Sequence, residues 1–334
     1  MNADQDVVSR RVQVDLDAVG ALEDSQVVRG QRVLGRVRGR APMRDDDLGG
    51  HGLAASVISG ASDARVGIVL SGGGLRGAAH LGVLRRIVRH RIPIEVMVGV
   101  SAGAIIAAYY AAVGLTVHEM IGEAPVFRGR HLVMHGLTLR VHAALRPYLR
   151  RFCGIIPERL GQLERASFES LHHGVERLGI VCHDLISNKP RYFSTDEHMG
   201  LPLADVARAS AAVPGVFPAK TVTVAGERVR LVDGGVGDSL PIGFARSPAL
   251  GATHLIVSDC RFIVASPPDG SESLVYLRPD LDGIQPLRAP RTALMKAIWR
   301  GEAAVTPEVV EHLRSWCAEP SPMVAPSHMT GAPA

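Results

Sequence analysis

Between residues 66 and 113 the apolar positions change period several times. Residues 66–70 (VGIVL) form an unbroken apolar run, the pattern of a parallel strand buried on both faces. Past the glycines that follow, Leu81, Val83, Leu84, Ile87 and Val88 recur at helical spacing, so a helix starts just beyond that loop. Residues 94–100 read as a second apolar strand and 104–113 as a helical run. The stretch is therefore a strand, a glycine loop, a helix, a strand, a tight turn and a helix.

The rest of the chain is less regular. Residues 116–165 are helical in pattern but broken. Residues 179–185 read as a strand with 191–193 as its hairpin partner, and 203–211 as a short helix stopped by Val213-Pro214-Gly215. Residues 221–224 and 228–232 flank a short turn and form a second hairpin, which ends in Asp233-Gly234-Gly235. A helical segment at 242–250 precedes a strand at 254–258 with Asp259 at its carboxyl end. From Phe262 to about 292 the chain is rich in proline and glycine, and two amphipathic helices at 292–301 and 307–316 close it before a Pro/Ser tail. Residues 1–62 show no sustained period and are expected to be a disordered extension. The expected organisation is thus an extension (1–62), an α/β domain (63–265), and a linker with short helices and a tail (266–334).

Composition narrows the function classes. With 334 residues the chain has ample length for a core, and 46% hydrophobic with 21% charged residues is the balance of a soluble globular protein. A net charge of +4 is too mild for a nucleic-acid-binding domain, and 4% aromatic residues argue against a base-stacking platform. Cys153, Cys182, Cys260 and Cys317 form no C-x-x-C pair, so neither a metal site nor a disulfide framework is expected. The start of the chain lacks the apolar core of a signal peptide, and the most apolar helical run is too short to cross a bilayer. A cytoplasmic protein is expected, with peripheral membrane contact open. Arg128, Arg130, Arg140, Arg146, Arg150 and Arg151 fall in a stretch without acids, either a solvated basic face or a rim that approaches anionic lipid.

Two turns carry candidate chemistry. Gly99-Val100-Ser101-Ala102-Gly103 has the form G-x-S-x-G between a strand and a helix, the setting of a nucleophile elbow. Such a turn exposes the serine above the sheet edge, and the helix behind it offers free N–H groups to a developing anion. Serine needs a base, and Asp233, at a strand end before two glycines, is one candidate. Partial burial would raise its pKa and improve it as a base. The plainer reading of Asp233 is a turn aspartate bonding its own backbone. Ser101, Asp233 and His254 also follow the chain order of a full triad, although His254 starts its strand and functional groups gather at strand carboxyl ends. His80 reads as a packing or helix-surface residue.

Gly72, Gly74 and Gly77 spell G-x-G-x-x-G, so a dinucleotide site has to be weighed. That site wants an acid at the end of the next strand, where this chain has Gly99 to Gly103 while Glu95 lies at the strand's beginning. No Lys-Ser/Thr follows the loop, which removes a nucleotide-triphosphate loop. An oxyanion hole beside Ser101 is the better use of its N–H groups.

Gly72-Gly73-Gly74-Leu75-Arg76-Gly77, then the Ser101 elbow, then Asp233-Gly234-Gly235, resemble in order and spacing the patatin-like phospholipase family. The segments 207–219 and 233–242 resemble it too, so the likeness spans about 66–262. It implies a three-layer α/β/α sandwich around a mostly parallel sheet, and a Ser-Asp dyad of Ser101 and Asp233 without histidine. It also implies an oxyanion hole from Gly72, Gly73, Gly74, Arg76, Gly77 and Ala102, with Gly99 and Gly103 shaping the elbow. Lipid or phospholipid esters would be the substrates, with no cofactor, no metal and no nucleic acid; Arg76 would lend positive charge near the anion. The alternatives are a triad esterase that recruits His254 and a non-catalytic lipid-binding module.

Overall fold

The computed structural model describes residues 64–124, 156–224, 226–263, 267–268, 270–287 and 291–317. The expected extension 1–62, the six arginines of the basic stretch, Cys153 and the final tail lie outside these residues.

Among the described residues eight strands form one sheet. The five-residue runs β1 (Val66–Leu70) and β2 (Val96–Val100) are buried along their whole length, as strands covered on both faces must be. β1 pairs in parallel with β2 on one side and with β7 (His254–Ser258) on the other, and β7 pairs in parallel with β8 (Leu274–Leu277). β2 pairs in parallel with β3 (Arg177–Asp184). The remaining strands, β4 (Lys189–Ser194), β5 (Lys220–Val224) and β6 (Glu227–Asp233), run antiparallel to their neighbours.

Alternation along the strands sends side chains to two cores. Ile68, Leu70, Met97 and Ile180 join the larger cluster, while Val69, Val98, Val100 and Val181 join the smaller. The larger core is covered by α1 (Ala78–Arg89), α2 (Ala102–Ala107), α3 (Val117–Glu123), α4 (Ile156–Arg165) and α5 (Leu203–Ser210). The smaller is covered by α6 (Ile242–Arg246), which supplies Phe244 and Ala245. The fold is a mixed α/β architecture with a central, mostly parallel sheet.

Three departures from the expected elements have physical reasons. β8 lies in the run read as linker; four residues between glycines and prolines are too few to show a period, yet Leu274, Val275 and Leu277 are buried against β7. The helix expected over 242–250 ends at Arg246, where Ser247 turns to extended backbone. The C-terminal helices α7 (Arg291–Ala303) and α8 (Pro307–Cys317) place Ile298, Val310, Leu313 and Trp316 in the larger core, so they belong to the same body as the sheet.

Candidate active site

The unusual feature of the sheet is how β3 uses its edges. β4 pairs with Gly179–Asp184 on one edge, so β2, over Arg177–Val181, and β6, over Cys182–Asp184, must share the other. β2 and the antiparallel β6 therefore meet end to end. Val100 lies opposite Val181 and Asp233 opposite Cys182, which brings the residue after β2, Ser101, against the last residue of β6. Sequence positions far apart become neighbours through strand register alone.

Ser101 takes φ 54° and ψ −120° between β2 and α2, a positive φ that a side chain tolerates only when its surroundings hold it. The neighbours hold it well. Its N–H donates to Ser210 Oγ at 3.0 Å, and Ser210 Oγ donates to Val181 O at 2.6 Å. Gly99 and Gly103 let the backbones close: a Cβ at Gly99 would lie 2.5 Å from Gly103 O, and one at Gly103 would run into Leu70 O. The result is a buried serine whose hydroxyl donates to Asp233 Oδ2 at 2.6 Å.

Asp233 is buried, and its other oxygen, Oδ1, accepts from Gly235 N at 2.8 Å. Burial penalises its charged form and pushes its pKa up to about 6, against the opposing pull of the bonds from Ser101 and Gly235. The bond to Gly235 is the turn contact that the plainer reading assigned to it, and the bond to Ser101 comes in addition.

The glycine loop packs over the elbow. A Cβ at Gly72 would lie 3.5 Å from Ser101 Cβ, and one at Gly77 would lie 2.7 Å from Ala102 Cβ. Gly74 has φ 55° and packs on Pro286 O, where a Cβ would collide. Not all N–H groups of the loop are free. Leu75 N–H donates to Pro286 O at 2.7 Å, and Arg76 N–H to Gly73 O at 3.1 Å. Those of Gly73, Gly74 and Ala102 have no acceptor among the described residues.

Arg76, expected to lend charge to an anion, is used differently. Its Nε donates to Cys260 O at 2.9 Å and its Nη1 to Leu281 O and Ile284 O at 2.9 and 3.0 Å. Its guanidinium also lies 5.3 Å from the ring centre of Phe262. Arg76 thus straps the segments after β7 and β8 to the loop.

His80 is fully buried, and desolvation lowers its pKa to about 4, so the ring is neutral. Its Nε2–H donates to Ser71 O at 3.0 Å, which leaves Nδ1 to accept from Ser258 Oγ at 2.8 Å. It braces the base of the glycine loop. His254 sits at the amino end of β7, opposite Val66, bonded to Thr253 Oγ1 and against the Trp316 ring. That is the other end of the sheet from Ser101, so the alternative triad is not assembled.

Ser101 opens into a cavity of about 190 Å³ with an almost wholly apolar lining. Ala102, Ile105, Ile106 and Tyr109 of α2 and its continuation line it, together with Leu81, Met120, Phe217 and Leu294. The sequence did not show this cleft, because Ile105 and Ile106 have the spacing of ordinary core residues. Ser210 was also missed; a serine in the alanine-rich run 207–212 carries no signal of its partner. The described residues hold no cluster of three or more His, Cys, Asp or Glu arranged to take a metal ion, and no helix long and apolar enough to cross a membrane.

The fold and the turn define a mixed α/β protein with a buried serine on a sharp strand-to-helix turn. A family model described as patatin-like phospholipase matches residues 68–246, and the chain belongs to that family. Lysophospholipase NTE1 of Coccidioides immitis (strain RS) is 29% identical over 208 residues, 61% of this chain and 12% of that protein. Lysophospholipase nte1 of Aspergillus fumigatus is 45% identical over 65 residues, 20% of this chain and 4% of its own. The patatin-like phospholipase domain-containing protein ZK370.4 of Caenorhabditis elegans is 50% identical over 46 residues, 14% of this chain and 3% of its own. The chain thus matches only a small part of each of these longer relatives. Among solved structures, VipD from Legionella pneumophila superposes with a TM-score of 0.46 at 14% identity, over 75% of this chain and 67% of VipD. The ExoU–SpcU complex of Pseudomonas aeruginosa gives 0.41 at 19% identity, over 76% and 52%.

Proposed function

We propose that the chain is a lipid acyl hydrolase of the phospholipase A or lysophospholipase kind, which cleaves carboxylic esters with Ser101 and Asp233. The observation that carries this reading is the 2.6 Å bond to a buried Asp233 from the Oγ of Ser101, a residue that lines an apolar cleft. Asp233 takes the hydroxyl proton as Oγ attacks the ester carbonyl, and a pKa near 6 makes it a better acceptor than an ordinary aspartate. The carbonyl oxygen becomes an oxyanion, and the N–H groups of Gly73, Gly74 and Ala102 are the donors free to receive it. Collapse expels the alcohol, which takes the proton back from Asp233, and leaves an acyl group on Ser101. Water, deprotonated by Asp233, then attacks the acyl-enzyme; the fatty acid departs and Oγ regains its proton. The apolar cleft takes the acyl chain, which favours a lipid over a small soluble ester.

The relatives named lysophospholipase agree with this reading. It is tested by labelling with a fluorophosphonate probe, alongside hydrolysis of lysophosphatidylcholine. Labelling and hydrolysis should be lost in Ser101→Ala, fall at least about a hundredfold in Asp233→Asn, and persist in His254→Ala. Folded wild-type protein that neither labels nor hydrolyses, with and without lipid micelles, would overturn it. Loss in His254→Ala would favour a triad instead.

A further inference from the structure

One helix runs along the cleft and gives it a direction. Ala102, Ile105, Ile106 and Tyr109 succeed one another along a single helix face, so depth can be read from the helix itself. At 1.5 Å of rise per residue, Tyr109 stands about 12 Å from Ser101 along the axis. Among its lining residues Glu123 and Arg159 are the charged ones. Arg159 Nε donates to Glu123 Oε1 at 2.8 Å and Nη1 to Gln162 Oε1 at 2.9 Å; Nη2 also pairs with Glu123. Both side chains are mostly buried, and their charges act on the buried Tyr109 phenol, which places the pair near Tyr109, the lining residue of this helix farthest from Ser101.

We propose that the Glu123–Arg159 pair is the end-stop of the acyl cleft and makes the protein selective for medium-length acyl chains. C–C bonds of about 1.5 Å laid zigzag advance about 1.25 Å each, so about ten carbons reach from Ser101 to the level of Tyr109, beside which the pair lies. Up to that length each buried methylene is worth about fourfold in binding. A longer chain would bring its end against a bonded ion pair, and parting that pair leaves two charges without partners in a mostly dry site. The inference rests on the acyl-hydrolase reading and adds its substrate class.

The test is kcat/KM for p-nitrophenyl butyrate, octanoate, decanoate, laurate and palmitate. Wild-type protein should rise to decanoate and fall by about tenfold at palmitate. The Glu123→Leu/Arg159→Leu double variant should raise the palmitate-to-decanoate ratio by about tenfold. Ile106→Phe, which fills the cleft part-way along α2, should act in the opposite sense and shift the optimum toward butyrate. The second variant is independent of whether the first folds. Palmitate equal to or better than decanoate in wild type, or ratios that neither variant moves, overturns the end-stop. Titration of Ser101→Ala protein with decanoate and palmitate, both below their micellar concentrations, reads the same preference without turnover. Chain-length selectivity there with no Ser101-dependent hydrolysis would sink the enzyme reading and keep the end-stop; hydrolysis without selectivity would do the reverse.

Discussion

Ser101 and Asp233 share a 2.6 Å hydrogen bond because two strands of opposite direction end against each other on one edge of β3. Neither residue is brought there by a flexible loop. β2 delivers the serine and β6 the aspartate, and the register that sets Val100 beside Val181 and Asp233 beside Cys182 fixes their separation. Precision of this kind is what a proton transfer needs, since a misplacement of about 1 Å can cost a hundredfold.

Acid should silence the site at an unusually high pH for an aspartate. Asp233 must be ionised to take the Ser101 proton, and burial holds its pKa at about 6. kcat/KM should therefore rise about tenfold per pH unit on the acid side and level off above about 6. A profile already flat from about pH 4.5, near the ordinary carboxylate range, would remove Asp233 as the base.

The same burial has a cost in stability whose sign can be worked out. Asp233 titrates near 6 when folded and near 3.9 when unfolded, so between these values the native state binds the extra proton. Its favourable contribution is complete below about pH 4 and is lost as pH rises through about 6, a change of about 3 kcal/mol. Asp233→Asn cannot ionise. Its stability relative to wild type should increase between about pH 5 and pH 8 in urea unfolding, although its activity is lost. A difference that does not vary with pH would show that the carboxyl is not perturbed.

Much of this arrangement was legible in the sequence. The bounds of β1 and β7, the glycine loop and the G-x-S-x-G turn all follow from apolar runs interrupted by glycine, because strands buried on both faces leave unbroken apolar runs. By local pattern Asp233 was visible only as an acid at a strand end before two glycines; its pairing with Ser101 was implied by the family resemblance, because strand register is not encoded in local pattern. Arg76 shows the opposite case. An arginine in a glycine loop reads as a charge for an anion, but its guanidinium is bonded to carbonyls around residues 260–284, more than 180 positions away. Gly82 and Gly301 carried a signal that went unused: a glycine inside a helical pattern marks a close approach.

Ser210 should behave as a support of the elbow. Ser210→Ala leaves the Ser101 N–H and the Val181 carbonyl without their buried partner. Unfolding free energy should fall by about 1–3 kcal/mol. Because the strained Ser101 backbone loses a tether, kcat should drop further than KM rises. Unchanged kcat in a destabilised variant would confine Ser210 to packing.

Arg76→Lys should fail where a simple positive charge would suffice. A lysine cannot spread donors over Cys260, Leu281 and Ile284 carbonyls as the planar guanidinium does. Stability should fall by about 2–4 kcal/mol, since buried acceptors lose charge-assisted bonds. Wild-type stability and activity in the lysine variant would return Arg76 to a purely electrostatic role.

Helix α1 begins where the glycine loop ends, so its seat on α7 bears on the site. Gly82 of α1 packs directly on the backbone of α7, where a Cβ would run into Ile298 O and lie 2.6 Å from Glu302 N. Gly301 does the same in return against Ala79 O. An alanine in place of a mid-helix glycine ordinarily stabilises by about 1 kcal/mol. At position 82 the backbone contact reverses that sign, and Gly82→Ala should destabilise by about 1–3 kcal/mol as the helices part. Gly122 is the internal control: it lies in α3, is exposed, and an added Cβ would have nothing within 4 Å. Gly122→Ala should therefore gain up to about 1 kcal/mol. Thermal unfolding of both variants separates close helix packing from helix propensity, and equal shifts would refute the tight α1–α7 crossing.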